Sequence, residues 1–253
     1  VMELNWATPL YLLGLYGLTR FFVGKNSEDG KLPWTPLESV AVTMAIYFVG
    51  YLLGGLIIYS VLYAFGWSEF RVTQWAEENA FGRFVMILSV QAIMIGMLAY
   101  FLKKRQSGWK AIGLYGRPKL SDAGHAIVTY FAYMICYLLL YRLVEAFVPG
   151  VDLEQKQQLG FDAVSNLQLP MVFVSLVILP PIVEEILVRG FVYTGLKSKL
   201  PKIAAVLITS TLFAIAHLQA GSSAPLLWVA AMDTFLLSVF LIRLRDKTGK
   251  LWS

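Results

Sequence analysis

Five ionisable residues stand in otherwise apolar stretches of the chain: Glu184, Glu185, Arg189, His217 and Asp233. A charge at membrane depth is costly and marks a candidate functional site by default. On a helix Glu185 and Arg189 are i and i+4, one turn apart on one face, and Glu184 is rotated about 100° from that face. The arginine can tie up one carboxylate and leave its neighbour for chemistry. His217 follows Glu184 by 33 residues, the length of a tight helical hairpin, so antiparallel packing can set it against the Glu184 face. A Glu and a neutral His converging on one water make a general-base pair, because desolvation raises a carboxyl pKa and nearby cations lower it. The same residues also suit a Glu–Arg ion pair and a helix-bridging His that hold a bundle together. Spacing alone leaves both readings open.

The elements that must position these residues are membrane helices. Hydrophobic residues make up 58% of the 253 and charged residues 15%, against roughly 45–50% and 25% in soluble domains. The apolar residues come in long blocks nearly free of charge, which excludes a soluble enzyme and a nucleic-acid-binding module. The single Cys136 excludes a disulfide scaffold. Segments 40–65 and 84–102 each meet the ~20-residue requirement of a spanning helix. Segment 126–148 is a third, with Arg142 and Glu145 spaced to pair at the membrane boundary. A long helix is expected over 171–199, kinked or restarted at Pro180–Pro181. Segments 203–218 and 225–242 follow, separated by the turn 219–224. The stretch 9–23 is short and carries Arg20, which suits a further span, an interfacial helix or one packed on the bundle, with spanning favoured. Val1–Leu4 lacks the basic region and cleavage site of a signal peptide, so that first apolar stretch reads as retained. The expected fold class is therefore all-α, a polytopic transmembrane bundle of about six or seven spanning helices. It forms one membrane domain over 1–253, with N-terminal helices in 1–169 and the chemistry-bearing half in 170–253.

Lysine and arginine alternate between loops. Six lie in 103–125 (Lys103, Lys104, Arg105, Lys110, Arg117, Lys119) and four follow Ile242, whereas loop 149–169 has only Lys156 and 219–224 has none. Cytoplasmic loops collect these residues, so loop 103–125 and the C-terminal tail are expected in the cytoplasm of a multi-pass membrane protein. Trp6, Trp34, Trp67, Trp75 and Trp109 flank the spans as interfacial anchors. Gly50, Gly54 and Gly55 suggest close helix packing. The basic loop could also meet anionic lipid heads, although ordinary topogenic charge already explains it.

The run Pro181-Ile-Val-Glu184-Glu185-Ile-Leu-Val-Arg189-Gly190 resembles the Glu-Glu-x-x-x-Arg motif of the CPBP family, the CAAX prenyl protease and bacteriocin-processing intramembrane endopeptidases. Phe213-Ala-Ile-Ala-His217 is similar to that family's Phe-x-x-x-His, at a comparable separation and on the following helix. The resemblance covers about 170–253, while 1–169 match only as generic membrane helices. It implies a helical bundle with a water-accessible cavity that cleaves a peptide bond in or beside the membrane. Glu184 would activate water with His217, and Glu185 with Arg189 would orient the site. Thr248-Gly249-Lys250-Leu251-Trp252 resembles the turn into the family's last motif-bearing helix, whose His-x-x-x-Asn or His-x-x-x-Asp would stabilise the oxyanion. Ser253 precedes any such motif: a further helix carrying it would complete the site, and a chain without it would read as a non-catalytic relative. Ser238 stands where the family often has Gly at a helix contact, and it is small enough to serve.

A metal-free, glutamate-based form is expected, because a catalytic zinc usually takes three protein ligands and the chain has two histidines. If a metal such as zinc is present, Glu184, Glu185 and His217 are its ligands. His125, just after Ser121–Asp122, suits a helix-cap or interfacial role, and Asp233 is expected to hydrogen-bond a neighbour or face the cavity. The expected partners are a peptide or protein substrate at the membrane and the lipid bilayer, with no nucleic acid. Two other classes remain: a non-catalytic scaffold or bacteriocin-immunity protein of the same fold, and a small transporter. The transporter is disfavoured because the charges cluster in one half without a matching set in the other.

Overall fold

The computed structural model describes residues 8–22, 32–148, 152–153, 155, 165–218 and 226–252. The expected features at Val1–Leu4, Trp6, Lys156 and 219–224 lie outside the described residues. Among the described residues the regular structure is entirely helical: α1 (Thr8–Phe22), α2 (Pro36–Ala64), α3 (Glu69–Glu78), α4 (Ala80–Lys104), α5 (Leu120–Phe147), α6 (Asn166–Lys197), α7 (Lys202–Ala216) and α8 (Trp228–Thr248).

Local chemistry sets several boundaries. The Thr35 hydroxyl accepts from the Glu38 N–H at 3.2 Å and the Glu38 carboxylate accepts from the Thr35 N–H at 2.7 Å. This capping box, with Pro36 next, starts α2. Ser68 caps α3, and Asn79 caps α4 by accepting from the Phe81 and Gly82 N–H groups at 2.9 and 3.1 Å. Gly249, at φ +75°, closes α8 in the left-handed region.

Among the described residues four helices, α2, α4, α5 and α6, are long and apolar enough to cross a membrane. The polytopic helical bundle is thus supported, but the expected count of six or seven spans is not. At 15 residues each, α1 and α7 reach about 22 Å at 1.5 Å per residue, short of the ~30 Å apolar layer. With 21 residues α8 is long enough, but it carries Asp233, Arg243, Arg245, Asp246 and Lys247.

The chain divides into two compact units, Val1–Trp109 with Leu159–Leu187, and Lys110–Gln158 with Val188–Ser253. In the first, α2 lies against α1 and α4, and the first part of α6 packs on α4. Glycine permits the close α2–α4 approach: a Cβ on Gly50 would come within 2.7 Å of Met94, and one on Gly54 within 2.6 Å of Val90. Gly55 meets nothing, so two of the three expected packing glycines pack. One end of this unit is fastened by charge. Arg105, fully buried, donates to the Pro33 carbonyl at 2.7 Å, the Arg20 carbonyl at 3.1 Å and the Glu38 carboxylate at 3.0 Å. Arg20 donates to the same carboxylate oxygen at 2.6 Å.

In the second unit α8 is central, with α7 and α5 packed against it. Ser210 of α7 and Ser238 of α8 are fully buried, and residues this small let helix backbones approach closely. At one end, the Asp246 carboxylate accepts from Tyr193, Lys197 and Lys202 at 2.7, 2.6 and 2.9 Å. On α5, Arg142 and Glu145 form the expected pair at 2.8 Å.

Candidate active site

The Glu-Glu-x-x-x-Arg run lies on α6, and α6 is not a regular α-helix. Two stretches, Val174–Ile178 and Glu185–Val192, are π-helical. The first has a direct cause. Pro180 and Pro181 supply no N–H, and their rings crowd the carbonyls four residues earlier. The ladder widens just before them, with the Leu179 N–H reaching the Val174 carbonyl. The helix therefore does not restart at the prolines but runs through them with a wider turn. The second stretch begins at Glu185 itself, and wide turns of this kind frequently sit at functional sites.

In the first unit, Glu184 ends the α-helical turn Leu179–Glu184 and is half-buried, as is Glu185 at the head of the π-helical stretch. Among the described residues the Glu184 carboxylate makes no hydrogen bond or ion pair, and the Tyr51 hydroxyl of α2 lies within range of its charge. Tyr51 carried no signal in the sequence, because it sits in a block that reads only as a span.

In the second unit, Arg189 is almost wholly buried and its guanidinium lies over the Phe213 ring, Cζ to centroid 4.0 Å. The His217 imidazole meets the same ring edge-on, with centroids 4.5 Å apart. Phe213 therefore joins the arginine of one motif to the histidine of the other. This explains why a phenylalanine stands four residues before the histidine: on the last turn of α7 it shares the histidine's face. His217 Nδ1 lies 2.8 Å from the Phe213 carbonyl oxygen. A carbonyl only accepts, so neutral His217 carries its proton on Nδ1 and presents an unprotonated Nε2.

Arg245 on α8 was not singled out in the sequence. It donates to the Arg189 backbone carbonyl, to the Ile112 carbonyl at 3.1 Å and to Thr194 Oγ1 at 2.6 Å. Where a helix returns from i→i+5 to i→i+4 pairing, two carbonyls face one N–H. A side-chain donor from outside relieves that mismatch. The hint lay in the excess of arginine after Ile242, but topogenic charge accounts for that equally well.

Asp233 accepts from the Tyr133 hydroxyl of α5, so it does bond a neighbour as expected. His125 lies in the first turns of α5, where Asp122 bonds the Lys119 N–H at 2.8 Å. Among the described residues no three His, Cys, Asp or Glu side chains gather as a metal site.

Both motifs, the helices that bear them and the turn after α8 fall within one family match. Residues 166–253 match the model described as Rce1-like, type II CAAX prenyl endopeptidase. Over that stretch the chain is similar to the CAAX proteases of membranes. The particular likeness is to the Rce1-like branch, carried by α6, α7, α8 and the turn that follows. No curated protein and no solved structure matches the chain.

Proposed function

We propose that the chain is an intramembrane endopeptidase hydrolysing a peptide bond of a membrane-associated or CAAX-like peptide, with Glu184 as general base and His217 as its partner. The observation that supports this most is the meeting of the two motifs at Phe213, with Arg189 on its ring face and His217 against its edge. In this reading Glu184 takes a proton from water as the oxygen attacks the scissile carbonyl, and later returns it to the leaving amine. Nε2 of His217 accepts a hydrogen bond from the same water and so fixes its direction. Arg189 and Glu185 orient the helical turn that carries the base. The Lys103–Lys119 loop and the C-terminal tail face the cytoplasm.

The test is cleavage of a quenched fluorogenic farnesylated CAAX peptide by the full-length protein in proteoliposomes. Glu184→Gln and His217→Ala should each lower turnover by about 10²–10⁴-fold, with helical content and elution volume unchanged. Undiminished turnover in Glu184→Gln would overturn the assignment. Equal cleavage of the unprenylated peptide would show that the lipid is not what the enzyme selects.

A further inference from the structure

Away from the two motifs, the link between α2 and α4 holds a cavity of about 390 Å³. It is lined by Trp67, Arg71, Gln74, Trp75, Glu78 and Asn79. We propose that this cavity binds the headgroup of a zwitterionic phospholipid, its phosphate on Arg71 and its ammonium on Glu78. The proposal shares no residue with the peptidase reading.

The cavity's position comes from the helices around it. Both α2 and α4 are long and apolar enough to cross a membrane, so the connection 65–79 leaves and re-enters the apolar layer on one side. Phe65, Phe70 and Phe81, in and just after this connection, are exposed, and the Phe81 ring meets the lining Trp75 edge-on at 6.2 Å. Apolar rings beside polar side chains suit the depth where lipid headgroups lie. The short helix α3 is pinned there by its other face, where Val72 and Ala76 are buried. Gly82 of α4 admits the Trp75 carbonyl so closely that any Cβ would collide with it.

Arg71, Gln74, Trp75 and Glu78 recur at helical spacing and line the cavity together. Arg71 is in the first turn of α3 and Glu78 is its last residue. Both charges oppose the helix dipole, which favours anions at the start and cations at the end. Their placement therefore does not serve the helix. Neither side chain has an ion-pair partner among the described residues. The Arg71 guanidinium is stacked on Trp67, Cζ to ring 4.1 Å, a posture that leaves its N–H edge available to a phosphodiester. Trp67 and Trp75 meet edge-to-face at 6.1 Å and offer apolar walls to the methylene groups between phosphate and amine. Arg71 and Glu78 stand about 10 Å apart along the axis of α3, room for a headgroup with its phosphate at one and its ammonium at the other.

The test uses the full chain in detergent, titrated with phosphatidylethanolamine or phosphatidylglycerol of matched acyl chains, with retained lipid read by native mass spectrometry. Phosphatidylethanolamine should bind about tenfold more tightly, and Arg71→Ala should weaken it by about tenfold, the scale of one charge-assisted hydrogen bond. Glu78→Gln should erase the preference between the two lipids and leave phosphatidylglycerol retention unchanged. Both residues are exposed, and the melting temperature of each variant reports that the fold is intact. Equal binding of the two lipids by the wild type, or unchanged binding in either variant, would overturn the proposal. So would displacement of the lipid by an equal concentration of soluble glycerophosphoethanolamine, which would point to a free phosphate compound as the occupant.

Discussion

Removing the Glu38 carboxylate charge tests how the N-terminal unit is fastened. Glu38 is 1% exposed and Arg105 fully buried. The carboxylate accepts from Arg105 at 3.0 Å, Arg20 at 2.6 Å and the Thr35 N–H at 2.7 Å. Glu38→Gln keeps the shape but leaves the Arg105 charge in a dry site with only carbonyls around it. Breaking a buried pair from one side costs about 3–5 kcal/mol. At about 2–4 °C per kcal/mol for a chain of this length, Tm should fall by about 6–20 °C. Removing both charges should cost less than the two single changes together, because no charge is then stranded. The double variant Glu38→Leu/Arg105→Met should therefore lie closer to the wild type than either single variant. The assay is thermal unfolding in detergent, followed by circular dichroism, of Glu38→Gln and of the cycle formed by the wild type, Glu38→Leu, Arg105→Met and their double variant. A loss under about 1 kcal/mol in Glu38→Gln, or simple additivity in the double variant, would refute the reasoning, since exposed pairs behave that way.

Phe213→Leu keeps an apolar side chain but removes the ring that Arg189 and His217 share. It should lower peptidase turnover more than stability, with the lost cation–π contact worth about 0.5–2 kcal/mol, and parallel activity and melting measurements separate the two. Asp246 lies beyond the spanning helices. Burial pushes its carboxyl pKa up, but hydrogen bonds from Lys197, Lys202 and Tyr193 outweigh this and hold it below the ordinary value. Its folded-state pKa being lowered, its contribution to stability is present above about pH 4, the unfolded value, and is lost as pH falls through the lower folded value. Asp246→Asn should flatten that part of the pH–stability curve, measured by thermal melts from pH 6 to 3.

Both motifs were legible because their spacing along a helix is a local property. The arginine and histidine are near the rings and turns that their sequence offsets imply, and Arg142 and Glu145 pair at i,i+3 as written. The π-helical turn at Glu185 was not legible. The same residues fit an α-helix, and the wider ladder exists alongside a donor supplied by Arg245, 56 positions beyond the Arg189 carbonyl it meets. Asp233 was visible as a costly group, but its partner Tyr133 is 100 positions away, in a span whose tyrosines read only as apolar bulk. Gly55 looked the same as Gly50 and Gly54, and only the identity of the facing helix separates them.

By itself, the sequence determined that the chain is helical and membrane-bound, because unbroken apolar blocks admit no other backbone that satisfies its own hydrogen bonds in lipid. It also singled out the candidates for chemistry, because ionisable groups in apolar helices are costly to keep. The tertiary structure decided which groups meet. It set Arg189 and His217 against one phenylalanine ring and fixed the imidazole tautomer through a carbonyl. It also buried Arg105 against a carboxylate 67 positions away. Such contacts depend on the crossing of helices distant in sequence, and side-chain periodicity reports which face of a helix turns inward but not what waits there.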